Sequence, residues 1–357
     1  MTSPFEPLSF KSGHAMANRF MLAPLTNLQS HADGTLSDDE YHWLTMRAQG
    51  GFGTTMTCAS HVSPEGMGFP GQLGCFDDLH IEGLSRLAVG IKQAGSLALV
   101  QLHHAGMRAH ASIDGSPLCP SDHAQFKARA MTLAEVHTLR DNFIAAAERV
   151  QRAGFDGIEL HGAHGYVLAQ FLSPVINRRE DEYGGSLENR CRLLLEVISG
   201  IRERCGPDFV LGIRLSPERF DIDIAEMRVL FRQLCEDGKL DFIDMSLWDA
   251  FKEPEDTRFK GRPLIDWFAE LPRGEVRLGV AGKIYSAEDV RRCLAAGADF
   301  VMPGRAAVLH FDFPRQIKRD PDFRMASLPV TAAYLKEQGL GPAFVDYMAT
   351  WKGFVEG

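Results

Sequence analysis

Residues 155–166, Phe-Asp-Gly-Ile-Glu-Leu-His-Gly-Ala-His-Gly-Tyr, hold the side chains best suited to chemistry. A short apolar run of β character ends in two histidines and a tyrosine. A strand that ends this way sets neighbouring side chains at one rim of a sheet or barrel. His161 and His164 bring hydrogen-bond donors able to hold a developing oxyanion. Tyr166 brings a phenol that stays protonated at neutral pH, its ordinary pKa being about 10. Together the three could polarise a carbonyl and then supply a proton. A metal is not expected: no carboxylate or cysteine falls at ligand spacing beside the pair, although His103 and His104 follow another strand. His103 and His104 themselves read as packing and wall.

Such groups need strands that end on a common rim, and the rest of the chain supplies them. Strands are expected at Arg19–Ala23, Thr54–Ser60, Leu97–Leu102, Gly157–Leu160, Val210–Leu215, Phe242–Leu247, Val276–Ala281 and Phe300–Met302. Helical patterns follow them. Ser37 opens one at capping-box spacing from Glu40, Thr132 another with Glu135, and Ser286 a third with Asp289. Further helices are expected over Ile81–Ala94, from Ser186, and over Ile224–Glu236 and Leu264–Leu271. Leu139, Phe143, Ala146 and Val150 share one face of the helix after Thr132. Eight strands in alternation with helices indicate an α/β fold, a single (β/α)8 TIM barrel. Residues 8–20 suggest an N-terminal hairpin capping the floor, with its turn at Ser12-Gly13. The long irregular stretch His103–Met131 reads as a functional loop. No linker divides residues 1–357, so the barrel is expected over about 18–315 and an extension over about 316–357.

The remaining candidates all fall just after strands, on the rim where barrel enzymes keep their sites. Ala23, Pro24, Leu25 and Thr26 end the first strand, Ala59 the second and Gln101 the third. Gln101 suits the reading of an imide edge, or is a satisfied structural amide. Arg214 ends the fifth strand. A cation there needs an anion or an electron-rich partner, either a ligand or a carboxylate such as Glu159. Ala281, Gly282 and Lys283 end the seventh strand, and Gly304 and Arg305 follow the eighth. These suit a phosphate, through close backbone approach and the arginine, unless the glycines serve only tight turns.

The totals exclude other classes. A net charge of −9 argues against nucleic acid or an anionic membrane as partner. No apolar run is long enough to span a membrane, and the first residues carry no secretory pattern. The seven cysteines are scattered, with no Cys-x-x-Cys pair, which disfavours a disulfide framework, an iron–sulfur cluster and a cysteine-built zinc site. Free thiols suit a reducing cytoplasm.

The chain resembles the old yellow enzyme family of FMN-dependent ene-reductases from about Pro7 to Pro314. The most specific part runs from His161-Gly-Ala-His-Gly-Tyr166 through Gln170-Phe-Leu-Ser-Pro174 to Asp181-Glu-Tyr-Gly-Gly-Ser-Leu-Glu-Asn-Arg190. Asn18-Arg19, Ala23-Pro-Leu-Thr26, Val62-Ser-Pro-Glu-Gly66, Gln101-Leu-His-His-Ala-Gly106 and Gly304-Arg305 add to it. The resemblance implies FMN as cofactor, with NADH or NADPH as reductant. It implies Pro24 and Thr26 beside the flavin ring, Ala59 and Gln101 at its pyrimidine edge, and Arg214 near N1 and O2. Ala281, Gly282, Gly304 and Arg305 would hold the phosphate. His161 and His164 would clamp a carbonyl or nitro oxygen, and Tyr166 would protonate carbon. The implied reaction is ping-pong hydride transfer from NAD(P)H, through flavin N5, to the β-carbon of an activated alkene. The alternatives are a nitro or xenobiotic reductase, a flavin sensor without turnover, and an FMN-free barrel lyase or isomerase. The expected partner is a small-molecule substrate, and a homo-oligomer is compatible with the reading. Several subgroups carry cysteine where Thr26 stands and tyrosine where Leu28 stands. Met107 takes a place often held by arginine, with Arg108 next. Trp248 is expected to pack or to wall the pocket, and Trp351 could reach a site in its own or a neighbouring subunit.

Overall fold

The computed structural model describes residues 3–111, 113 and 115–356. Seven parallel strands form one curled sheet: β3 (Thr54–His61), β4 (Leu97–His103), β7 (Gly157–Gly162), β8 (Val210–Leu215), β9 (Phe242–Ser246), β10 (Arg277–Ala281) and β11 (Phe300–Val301). Their spatial order follows the chain order. The expected first strand, Arg19–Ala23, is reduced to two bridge residues. Phe20 pairs with Val301 and Met21 with Thr54, which joins the two sheet edges and closes the barrel. A closed barrel leaves no unpaired strand edge. Two antiparallel strands, β1 (Leu8–Ser9) and β2 (Ala15–Met16), form the N-terminal hairpin. Gly13 lies in its turn at φ +90°, a conformation that L side chains rarely adopt. A small parallel pair, β5 (Leu118–Cys119) and β6 (Arg129–Ala130), orders the long stretch after β4.

The barrel interior is filled from below. Phe242 and Phe300 point inward, and Gly212 and Gly279 give them room: a Cβ on Gly212 would meet the Phe242 ring at 2.1 Å, and one on Gly279 the Phe300 ring at 2.3 Å. Phe10 of the hairpin completes the plug, its ring 5.6 Å from Phe242 and 6.5 Å from Phe300. Met16, Met21, Met56 and Leu99 pack in the same interior cluster. With the floor sealed, a ligand is accommodated at the carboxyl ends of the strands.

The helical shell includes α1 (Asp38–Gln49), α2 (Ile81–Gln93), α3 (Leu133–Arg152), α4 (Val167–Leu172), α5 (Leu187–Cys205) and α6 (Ile224–Asp237). After β9 come α7 (Asp266–Ala269), α8 (Ala287–Ala295), α9 (Arg305–Leu309) and α10 (Phe313–Arg319). Thr132 and Glu135 form the expected capping box on α3, and Leu139, Phe143, Ala146 and Val150 are buried against the sheet. Each large apolar side chain so buried contributes roughly 1.5–3 kcal/mol. Ser37 caps α1, but Glu40 does not reach back to close a box. It turns inward and accepts from Asn27 at 3.1 Å and from Ser30. The helix expected over Leu264–Leu271 shrinks to α7, bounded on either side by Pro263 and Pro272.

The C-terminal stretch, unreadable from its mixed pattern, folds back over the rim. It carries α11 (Ala332–Glu337) and α12 (Pro342–Ala349). Phe344 packs edge-on against Trp43 with centroids 4.8 Å apart, and the Gly341 N–H donates to Gln29 Oε1 at 2.8 Å. That docking aims Tyr347, Met348, Trp351 and Phe354 at the barrel mouth.

Candidate active site

A cavity of about 470 Å3 opens at the carboxyl ends of the strands. Every residue given a catalytic or cofactor-binding role from the sequence lines it: Ala23, Pro24, Leu25, Thr26, Ala59, Gln101, His161, His164, Tyr166, Arg214, Ala281, Gly282, Lys283, Gly304 and Arg305. A wider hollow of about 860 Å3 lies outside the barrel between α3 and α5, but most of its charges pair with one another, as Arg204 does with Glu148 at 2.9 Å. It lies on the helical shell, away from the strand ends where barrel enzymes keep their reaction sites.

Strand register sets the levels of the cavity. Ala59 pairs with Gln101, and Gln101 with Glu159, so these three lie side by side across β3, β4 and β7. Two residues higher, His161 pairs with Arg214, and Arg214 with Asp244. Because strand side chains alternate, the same face carries Glu159 and then His161 on β7, and Asp244 and then Ser246 on β9. Arg214 therefore meets Asp244, its Nε 2.9 Å from Oδ2, and not Glu159, which sits a level lower. Glu159 instead accepts from the Gln101 amide at 2.6 Å. The Gln101 carbonyl oxygen meets no partner among the described residues and is free to accept from a ligand. Burial raises the Glu159 carboxyl well above the usual range, with Asp244 adding to the effect. Burial also lifts Asp244 to about 6 against the pull of Arg214.

The two histidines and the tyrosine are brought together by the chain reversal after β7. His164 and Gly165 are both left-handed, at φ +59° and +70°. This turn swings His164 and Tyr166 back over His161. Histidine is among the few non-glycine types that take this conformation with any frequency. Gln170 on α4 braces the turn, donating to Gly165 O at 2.8 Å and Ala105 O at 3.2 Å and accepting from Met107 N. The Tyr166 ring lies 4.9 Å from His161 and 4.4 Å from His103, centroid to centroid.

The imidazoles face one another. His161 Nε2 and His164 Nδ1 are 2.9 Å apart, and His164 Nε2 lies 2.8 Å from Ser246 Oγ. Arg214 Nη2 donates to the same hydroxyl at 3.3 Å. His161 Nδ1 is buried without a partner among the described residues. Burial is the main reason both rings stay neutral. It drives His161 well below its ordinary value, with His164 the next contributor, and His164 down to about 3, helped by Arg214 and Arg108. Neutral imidazoles keep one N–H each. A ligand oxygen would take over a donor that now serves the other ring. Burial raises the Tyr166 phenol above 10, with Arg108 opposing, so it stays protonated at neutral pH. Its hydroxyl has no partner among the described residues and faces the cavity.

At the opposite end, Gly282 (φ +151°) packs against the backbone of residues 248–250. Gly304 is the more open of the pair: a Cβ there would meet only Leu25 Cδ2 at 3.4 Å and Ala23 Cβ at 3.9 Å. Arg305 has a buried Nε without a partner and no carboxylate within ion-pair distance among the described residues. Its guanidinium lies 5.6 Å from the Tyr285 ring and 5.8 Å from that of Trp351. Lys283 is held away by Asp249, 3.0 Å from its ammonium. An unpaired arginine beside an open glycine fits a phosphate. An acceptor-bearing Gln101 and a buried cation at the barrel centre fit the polar edge of a flavin.

Sequence reasoning missed Asp244, Ser246 and Phe220. The alternation of β9 was the available signal for the first two. Phe220 lies in a run of three left-handed residues, Arg219, Phe220 and Asp221, which brings its ring 6.1 Å from His164. Trp248 is exposed at the cavity wall and not packed in the core, and Trp351 reaches the cavity of its own chain. No helix among the described residues is long and apolar enough to cross a membrane, and no metal-holding cluster of His, Cys, Asp or Glu is found among them.

Residues 3–321 match the sequence model of the NADH:flavin oxidoreductase / NADH oxidase family. The chain is similar to an NADPH dehydrogenase of Bacillus licheniformis, with 36% identity over 356 residues, 97% of this chain and 98% of the relative. It is also similar to the probable NADH-dependent flavin oxidoreductase YqiG of Bacillus subtilis, 34% identical over 326 residues, 88% of this chain and 87% of the relative. Among solved structures, the old yellow enzyme homologue from Zymomonas mobilis superposes with a TM-score of 0.80 at 26% identity, covering 97% of this chain and 99% of that one. Morphinone reductase in complex with tetrahydroNAD superposes with a TM-score of 0.79 at 25% identity, covering 97% of each.

Proposed function

The chain belongs to the NADH:flavin oxidoreductase / NADH oxidase family, that of old yellow enzyme, and from this premise we propose that it is an FMN-dependent ene-reductase. Membership makes it an NAD(P)H:flavin oxidoreductase on a TIM barrel. The finer reading concerns the cofactor, the alkene and the roles of the rim residues. FMN, when bound, would supply the redox chemistry, hydride transfer from NAD(P)H to the β-carbon of an alkene conjugated to a carbonyl or nitro group.

The observation that carries this reading is the convergence on one cavity of two neutral imidazoles, a protonated phenol and an anion-ready end. Gly304 and Arg305 would hold the phosphate, with Ala281, Gly282 and Lys283 forming the wall beside it. Gln101 would accept from the imide edge, with Glu159 fixing its amide. Arg214 would sit where negative charge gathers on reduction, kept from drawing in an unwanted anion by Asp244. Ala23, Pro24, Leu25, Thr26 and Ala59 would line the ring. His161 and His164 would exchange their mutual bond for bonds to the substrate oxygen and so stabilise the charge that develops there. Tyr166 would then give its proton to the α-carbon.

The test begins with a visible spectrum of the protein after addition of FMN. Anaerobic reduction by NADH or NADPH and reoxidation by cyclohexenone follow. A bound flavin that bleaches and recovers with the enone is the expected result. A protein that never acquires a flavin spectrum overturns the proposal. One that bleaches and recovers only with nitro compounds favours nitro reduction, and one that recovers with neither is a sensor.

A further inference from the structure

We infer that Arg108 makes the cavity selective for alkenes carrying an ionised carboxylate close to the carbon that Tyr166 protonates. The inference rests on the proposed reaction and adds to it a substrate class. Its basis is an imbalance of charge. The cavity is lined by Arg108, Arg214, Lys283 and Arg305 and, among the described lining residues, by no aspartate or glutamate. This holds in a chain whose net charge is −9. Arg214 is matched by Asp244 and Lys283 by Asp249. Arg305 lies at the end assigned to phosphate. Arg108 is the cation left over on the substrate side.

The root of Arg108 is rigid and its head is nearly free. It ends the one-turn 3-10 helix Gly106–Arg108. Gly106 (φ +63°) fits against the Gln170 amide so closely that a Cβ would meet Oε1 at 2.3 Å. The Met107 side chain is sunk among Cys119, Ala128 and Ile176. Nη1 of Arg108 donates to His164 O at 2.8 Å, the only hydrogen bond its guanidinium makes among the described residues. The guanidinium carbon lies 5.2 Å from the centroid of the Tyr166 ring. The remaining N–H groups are therefore unspent, beside the proton donor, on a planar fork that matches a carboxylate. The nicotinamide coenzyme also carries anionic groups. The substrate is favoured because Arg108 is tied to Tyr166 and His164, which act in the alkene half of the reaction.

The test uses FMN-loaded protein and the pair monomethyl fumarate and dimethyl fumarate. The ratio of their kcat/KM values cancels intrinsic reactivity when parent and variants are compared. Arg108→Gln should lower the ratio of monoanion to diester by about tenfold, the scale of one charge-assisted hydrogen bond. Arg108→Lys should restore part of it. Equilibrium binding of 4-hydroxybenzoate against 4-hydroxybenzamide, by calorimetry, should shift in the same direction. If Arg108 only pegs its loop to His164, both members of each pair change alike, and unmoved ratios overturn the inference. A change confined to the NADPH-to-NADH preference also overturns it, by assigning Arg108 to the coenzyme. Should the parent protein reduce neither fumarate ester, it is the proposed reaction that fails, and the binding pair then decides on Arg108 alone.

Discussion

Replacing Tyr166 by phenylalanine removes one hydroxyl and little else. The ring packs edge-on against His103 at 4.4 Å and tilted against His161 at 4.9 Å, and both contacts survive in phenylalanine. The hydroxyl bonds to no described residue, so the fold loses no hydrogen bond and stability should stay within about 0.5 kcal/mol of the parent. The rate is another matter. The phenol is kept protonated by burial and has Arg108 at hand to steady the phenolate left behind. A positioned general acid of this kind is worth about 10²- to 10⁴-fold, or roughly 3–5 kcal/mol of barrier. Anaerobic stopped-flow on FMN-loaded protein separates the half-reactions. Reoxidation by cyclohexenone should slow by about a hundredfold or more, and reduction by NADPH far less. Reoxidation close to the parent rate would mean that water delivers the proton. Equal losses in both halves would make Tyr166 a wall of the coenzyme site.

Three further outcomes are expected. Gly304→Val should fold, since its Cβ meets only side-chain carbons at 3.4 Å and beyond, yet fill the space beside Arg305; FMN affinity by fluorescence titration should weaken by about tenfold or more, about 1.4 kcal/mol, and unchanged affinity would move the phosphate elsewhere. Gly279→Ala drives a methyl into the Phe300 ring, so urea denaturation should show a loss of about 1–3 kcal/mol; a neutral result would mean that the aromatic plug repacks freely. Acid should destabilise the fold. Burial holds His61 and His104 down at about 4 and His164 at about 3, with His103 and His161 also well below 6.5. As pH falls below about 6.5 the unfolded chain takes up protons that the folded one refuses, at a cost of about 1.4 kcal/mol per pH unit for each histidine. Asp244 and Glu159, raised by burial, act in the opposite sense, because the folded state protonates first as pH falls through about 6 for Asp244. The histidines outnumber these carboxylates, so the urea midpoint should drop between about pH 7 and pH 5. A flat or rising midpoint would refute the neutral-histidine picture.

Much of this protein follows from local sequence. Strand and helix positions follow apolar periodicity and caps such as Thr132–Glu135, which are satisfied within a few residues of chain. The rim residues could be named because a residue at the end of a parallel barrel strand has one place to go. Partnership is different, because it depends on register between strands far apart in sequence. Arg214 could have met Glu159 or Asp244. Only the pairing of β8 with β9 puts Asp244 at its level and leaves Glu159 a step below, holding Gln101. The mutual bond of His161 and His164 needs the left-handed turn at 164–165 as well as Ser246 on another strand. The aromatic cover from Phe344 to Phe354 carries no periodic signal, because its hydrophobic face is set by a docking site on Trp43 and Gln29 some three hundred residues away. Sequence thus determined which groups reach the rim, through rules that act within one element. Tertiary structure decided which of them touch, because a contact between elements is fixed by closure of the whole barrel.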